Sequence, residues 1–227
     1  KNNHREIRID GVKALAVTSE ARDQVQTFMA AFAQTQPDPG FFEVVDVARR
    51  IAGTGSLGLL RYVILVRGKG SPNGNYLLDL KAAQSSALNH RLAQLKIQQP
   101  VWASEADRVV AVQNRMQASD HPFLNPVLFQ GKSCVLKRLH PSEDRVAIAH
   151  WGNRLEHLIQ VARTMGRLSA WDQLRASGRQ GSATADDLMA FAEGHHWLSE
   201  LEQAAHELAD ITARQWAAFL KCPPNQH

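Results

Sequence analysis

Three glycines, two hydroxyls and a lysine are the residues in this sequence whose types and spacing point to chemistry. Gly53, Gly55 and Gly58 stand in the run Gly53-Thr54-Gly55-Ser56-Leu57-Gly58, and Lys81 follows two apolar stretches later. Backbone N–H groups reach a phosphate oxygen only where no Cβ obstructs them, and glycine removes that obstruction. Thr54 and Ser56 add hydroxyl donors. The bland alternative is a hairpin that merely turns tightly. Lys81 brings a compact positive charge to an otherwise apolar segment. Such a lysine either meets an anion or snorkels to solvent, because a buried unpaired ammonium costs several kcal/mol. The anion can be a phosphate, a helix carboxylate, or both. Glu105 is the best acidic partner downstream and Asp107 the next. Either can instead simply favour a helix N-terminus.

The elements around these residues decide what the glycines do. In a dinucleotide-binding fold, Gly-x-Gly-x-x-Gly opens a helix. Here it opens Arg61-Tyr62-Val63-Ile64-Leu65-Val66, a β-branched and aromatic run that predicts a strand. The glycines are therefore expected to join two antiparallel strands. Phe41 to Ala52 suits a strand with a slip through Val45, Val47 and Ile51. It also suits a helix through Val44, Val47, Ala48 and Ile51, and the strand is favoured because it enters the glycine turn. Tyr76 to Lys81 predicts a third strand, with Tyr76, Leu78 and Leu80 on one face and Leu77, Asp79 and Lys81 on the other.

Upstream, the alternating Ile7 and Ile9 suit an edge strand or an arm torn from a missing neighbour. Thr18 to Gln34 predicts a helix capped by Ser19, with Val25, Phe28, Met29 and Phe32 on one face. Gln36 to Gly40 breaks it. Downstream, Ala82 to Ile97 predicts a helix. A second starts at Ser104, with Asp107 completing a variant capping box and Val109, Val112 and Met116 marking its buried face. Asp120 to Asn125 holds an Asp and an Asn at catalytic-loop spacing. It lies between a helix and a strand, and it reads as a connecting loop. Val127–Phe129 and Ser133–Leu139 predict two more strands, and His140-Pro141-Ser142 ends the sheet. From about Arg145 the pattern is helical, with Trp151, Trp171, Trp197 and Trp216 expected to pack between helices. The chain thus divides into an arm and helix (1–40), a small sheet lobe with the glycine turn (41–141) and a helical lobe (142–227).

Hydrophobic residues are 44% and charged residues 21% of the 227, a globular balance. The formal charge of +4 comes from scattered basic residues, which suggests modest affinity for anions and no nucleic-acid footprint. No apolar run approaches a membrane span and no signal peptide is visible, so no membrane partner is expected. Cys134 and Cys222 are far apart and fit no metal spacing. Reduced thiols and a cytoplasmic location are expected. His195 and His196 beside Glu193 point apart on a helix, so no metal site is predicted.

Asp46-Val47-Ala48, the glycine turn, Leu77-Leu78-Asp79-Leu80-Lys81-Ala82-Ala83 and Arg108-Val109-Val110 through Ser119-Asp120 closely resemble blocks of a bacterial family, domain of unknown function 2252. Lys81, Ala83, Ser86 and Leu88 match its Lys-Glu-Ala-x-x-Ser block, although Ala82 stands where Glu is common. Gln113, Met116 and Gln117 match the block that follows. That family resembles protein kinases and aminoglycoside phosphotransferases, in which strand, glycine loop, strand and a lysine-bearing strand follow in that order. The resemblance implies an α+β, kinase-like fold: a small antiparallel sheet lobe followed by a helical lobe. It implies ATP with Mg2+ as cofactor, held by Gly53, Thr54, Gly55, Ser56, Gly58, Lys81 and Glu105, and an acceptor the residues do not identify. The family's Gly-Asp-x-His-x-x-Asn and Asp-Phe-Asp segments are missing, and the chain starts at Lys1. The expectation is a C-terminal half that binds nucleotide without a catalytic base of its own. The alternative is a non-catalytic module that binds a nucleotide or a protein.

Overall fold

The computed structural model describes residues 5–53, 57–70, 73–139 and 154–222. Thr54, Gly55, Ser56, Trp151, the expected sheet end at His140–Ser142 and the start of the expected helical region lie outside the described residues. The chain falls into two units, Lys1–Asp172 and Gln173–His227.

The first unit is built on a six-stranded sheet. Its strands are β1 (Ala14–Leu15), β2 (Val44–Arg50), β3 (Arg61–Val66), β4 (Tyr76–Ala82), β5 (Asn125–Phe129) and β6 (Lys132–Arg138), in the order β1-β2-β3-β4-β6-β5. All neighbours pair antiparallel. The fold class is α+β, as the pattern predicts. The ambiguous stretch before the glycines is the strand β2, and the register shift between Val44 and Asp46 is the slip its pattern shows. The glycine turn joins β2 to β3. Gly53 and Gly58 have φ of +73° and +78°, a conformation that a Cβ penalises. The β3–β4 connection also needs its glycines. A Cβ on Gly68 would land on the Gly74 carbonyl, and one on Gly74 would land on the Gly70 carbonyl.

One face of the sheet is covered by α1 (Ser19–Ala33). Thr18, not Ser19, is its cap, because the Thr18 hydroxyl accepts the Ala21 N–H at 3.2 Å. Val25 and Met29 are fully buried against Ile64, Leu78, Leu80 and Leu136. Each such aliphatic side chain contributes about 1.5–3 kcal/mol on burial. At one end of this core Phe41, Phe42, Tyr76 and Phe123 form an aromatic cluster, with ring centroids 4.9 Å apart for Phe41–Tyr76 and 5.1 Å for Phe41–Phe123. Phe123 belongs to the Asp120–Asn125 stretch, and the Arg138 N–H donates to the Pro122 carbonyl at 3.0 Å. That segment is a connecting loop anchored to the core, as its position predicts.

Two short helices follow β4. The helix expected over Ala82–Ile97 is confined to α2 (Asn89–Gln94). The sheet continues through its start: the Ala82 N–H donates to Leu60 O at 2.9 Å and the Ala83 N–H to Ser133 O at 2.8 Å. Backbone committed to that ladder cannot also begin a helix. α3 (Glu105–Met116) starts where Ser104 predicts, with the Ser104 hydroxyl accepting the Asp107 N–H at 3.2 Å. It packs on the sheet face opposite α1. The residues it buries are Ala106 and Val110, against Val135, while the expected Val109, Val112 and Met116 are only partly covered.

α4 (Leu155–Ala176) runs across the boundary between the units. The second unit also contains α5 (Ala185–Glu193), opened by a Thr184–Asp187 capping box, and α6 (Trp197–Lys221). None of their described residues is buried. Trp197 stacks on Phe191 at 5.7 Å. Trp171 and Trp216 are 50% and 58% exposed, contrary to the packing expected of them. Helical periodicity reports that a face is apolar, not what covers it. Among the described residues no helix is long and apolar enough to cross a membrane.

Candidate functional site

Strand alternation sends Asp79 and Lys81 of β4 to the face that carries α3. Cross-strand pairing adds their neighbours. Lys81 lies opposite Arg61 on β3 and Val135 on β6; Asp79 lies opposite Val63 and Lys137. The parity of β2 brings Arg50 to the same face, since Ala48 pairs with Val63. Four cations thus surround one carboxylate.

That carboxylate is committed. Asp79 is 2% exposed, and its two oxygens accept from Arg61 Nε at 2.8 Å and Nη2 at 2.7 Å. This is the bidentate fork that makes an arginine–carboxylate pair strong. Arg50 Nη1 stands 3.6 Å from the same group. Arg61 also donates from Nη1 to the Ala52 carbonyl at 3.1 Å, tying the stem of the glycine turn to the cluster.

The two lysines are placed differently. Neither Lys81 nor Lys137 has a hydrogen bond or ion pair with a described side chain, and both are partly exposed. Burial pushes the Lys137 ammonium below its ordinary pKa. Asp79 opposes that shift, while Arg61, Lys81 and Arg50 reinforce it. Both lysines line a cleft of about 350 Å³ with Leu59, Ser85, Val109 and Gln113. Leu59 brings the far stem of the glycine turn to the cleft wall.

The expected Lys81 partners serve elsewhere. Glu105 Oε2 accepts from Arg108 Nε at 2.7 Å, and Oε1 accepts from the Ser85 hydroxyl at 3.1 Å. Arg108 first, and then Ser85, holds the Glu105 carboxyl below its usual range against the upward push of burial. Asp107 accepts the Ser104 hydroxyl at 2.6 Å within the helix cap. The expected ion pair of Lys81 with either acid is therefore absent. An i,i+3 neighbour already on the helix costs less chain entropy to engage than a side chain across the cleft.

Of the residues singled out from sequence, the structure brings together Lys81 and the stems of the turn that carries Gly53 and Gly58. Glu105 stands one step away, behind Ser85. Sequence reasoning did not single out Arg50, Arg61 and Lys137. The signal was present in part: each is a basic residue spaced two from a core β-branched or small residue in a strand. What aligns them is register. Among the described residues no group of three His, Cys, Asp or Glu side chains stands ready to hold a metal.

A family model described as an uncharacterized protein conserved in bacteria (DUF2252) matches residues 1–222. The chain matches no curated protein. It matches no solved structure.

Proposed function

The chain belongs to the DUF2252 family of bacterial proteins, and from that premise we propose that its sheet cleft binds the phosphates of ATP, as the nucleotide lobe of a kinase-like phosphotransferase. The observation that carries this reading is the charge balance of the cleft. Asp79 is held by Arg61 and approached by Arg50, so among the described residues Lys81 and Lys137 are left without an ion pair in one partly enclosed space. An anion entering there gains charge-assisted hydrogen bonds without displacing a protein partner. The order of elements supports the same reading: strand, glycine turn, strand, lysine strand, then a helix carrying an acid. Gly53 and Gly58 leave the backbone of the turn open to close approach, and the Leu59 stem borders the lysines.

The cleft fits phosphate better than metal. Asp79 is the one carboxylate among the described residues that line it, and both its oxygens are held by Arg61. These residues do not fit a Mg2+ ligand set. The same engagement removes Asp79 as a general base, which must have a free lone pair within reach of the proton it takes. What this chain's residues do is bind and orient phosphate. The acceptor substrate and a cytoplasmic setting belong to the same proposal.

A non-catalytic nucleotide-binding module is favoured by one observation. Catalytic kinases require the strand lysine to pair with the helix glutamate. Here Glu105 is held by Arg108 and Ser85.

Calorimetric titration with ATP, with and without Mg2+, tests the proposal alongside an assay for phosphate release. Saturable binding with no turnover by this chain is expected. Absence of binding at millimolar ATP contradicts the proposal. Turnover that disappears in Asp120→Ala would place the chemistry in the connecting loop instead.

A further inference from the structure

The nucleotide reading asks only that Lys81 and Lys137 together attract an anion. The structure places a second lysine where a single phosphate does not require one. Lys81 and Lys137 lie on adjacent antiparallel strands, and Lys137 is two residues along β6 from Val135, the direct partner of Lys81. They are therefore diagonal neighbours on one face, with Cα atoms separated by about 7–8 Å. Side chains of four methylenes starting that far apart reach adjacent phosphoryl groups of one chain. Spread over two linked phosphoryl groups their like charges stay further apart than on one phosphate, which favours the diphosphate. Both line the same cleft, and neither has an ion pair or hydrogen bond with a described side chain, the nearby Asp79 being held by Arg61 and approached by Arg50.

We infer that Lys81 and Lys137 form a paired clamp for a diphosphate group, so that the cleft prefers diphosphate-containing ligands to monophosphates. This rests on the nucleotide reading for its source of diphosphate, but the clamp itself recognises only the linked phosphoryl groups. Val135 and Val109 fill the space beside the pair and limit competing water, which strengthens charge interactions there. The partial desolvation that disfavours the free Lys137 ammonium is relieved when an anion arrives. Lys137 is thus a binding residue of the site and not only a strand residue that happens to be basic.

The test compares pyrophosphate, inorganic phosphate, ADP and AMP by calorimetry on the wild-type chain and on Lys137→Met. Wild type should bind pyrophosphate at least about tenfold more tightly than phosphate, the effect of one further charge-assisted hydrogen bond. ADP should exceed AMP by a similar factor. Lys137→Met should lose about tenfold for pyrophosphate and ADP, and change little for phosphate and AMP. Equal wild-type affinities for pyrophosphate and phosphate overturn the clamp, whatever the folding of the variant. ADP binding that Lys137→Met leaves unchanged overturns the clamp while the nucleotide reading survives. Lys137-dependent pyrophosphate binding with no gain from the nucleoside sustains the clamp and removes the nucleotide reading. Loss of equal size for all four ligands marks Lys137 as structural and overturns the inference.

Discussion

Asp79→Asn should destabilise the sheet unit by about 3–5 kcal/mol, the cost of removing one partner from a buried ion pair. The substitution conserves volume, so no cavity contributes. What changes is charge. Arg61 and Arg50 are 13% and 12% exposed at the side chain, and both lose their carboxylate. The amide can accept one hydrogen bond from Arg61 where the carboxylate accepted two. The left-over guanidinium charge must be solvated, and the three strands that carry it must open to let water in. Urea unfolding followed by circular dichroism measures the loss. The triple variant Arg50→Met/Arg61→Met/Asp79→Leu removes all three charges and should recover much of the stability, since an uncompensated buried charge costs more than a missing pair. A loss below about 1 kcal/mol for Asp79→Asn, the range of exposed pairs, would mean that the cluster is solvated and that Asp79 does not organise it.

The second large effect is on binding. Lys81→Met keeps most of the apolar stem and removes the ammonium. ATP affinity should fall by about 1.5–3 kcal/mol, the range for a hydrogen bond to a charged group. That corresponds to roughly a tenfold to hundredfold rise in Kd. Stability should change little, because Lys81 is partly exposed and pairs with no acid in the described structure. Glu105 keeps Arg108 and Ser85 in the variant, so no charge is orphaned. Calorimetric titration of wild type and variant with ATP is the measurement, and equal affinities would remove Lys81 from the site.

Much of the sheet was legible because strand signals are local. Tyr76 to Lys81 alternates cleanly, and its two faces in the structure are the two faces the alternation predicts. The β-rich run after Gly58 identified β3 for the same reason. Ser104 marks a cap that the helix uses, and at the other end of the chain Thr184 and Asp187 close a capping box. What the pattern could not carry is register. That Arg61 meets Lys81, and that Asp79 meets Lys137, follows from how β3, β4 and β6 slide against one another. A slip of one residue would send Asp79 to the α1 face. The cluster of Arg50, Arg61, Asp79, Lys81 and Lys137 therefore comes into view only in three dimensions. The choice of partner for Glu105 was hidden for a related reason. Both Lys81 and Arg108 are acceptable on charge alone, and chain proximity decides for Arg108. The extent of α2 was misread because Ala82 and Ala83 favour helix intrinsically, whereas their N–H groups are taken by Leu60 and Ser133. Trp171 and Trp216 lie on apolar stripes that the described residues leave half exposed, a fact that no periodicity can register.

Nucleotide phosphates are expected to lie against the Lys81–Lys137 face of the sheet. The most direct measurement uses an ATP derivative whose terminal phosphate carries an acyl group. A lysine amine beside the phosphates attacks the acyl carbon, the acyl–phosphate bond breaks, and the nucleotide leaves while the amide stays on the protein. Peptide mass spectrometry then locates the mark. The expected result is acylation of Lys81 or Lys137, suppressed by excess ATP and not by adenosine. Labelling that avoids both lysines, or that persists at these lysines unchanged under excess ATP, would rule out nucleotide phosphates at this face.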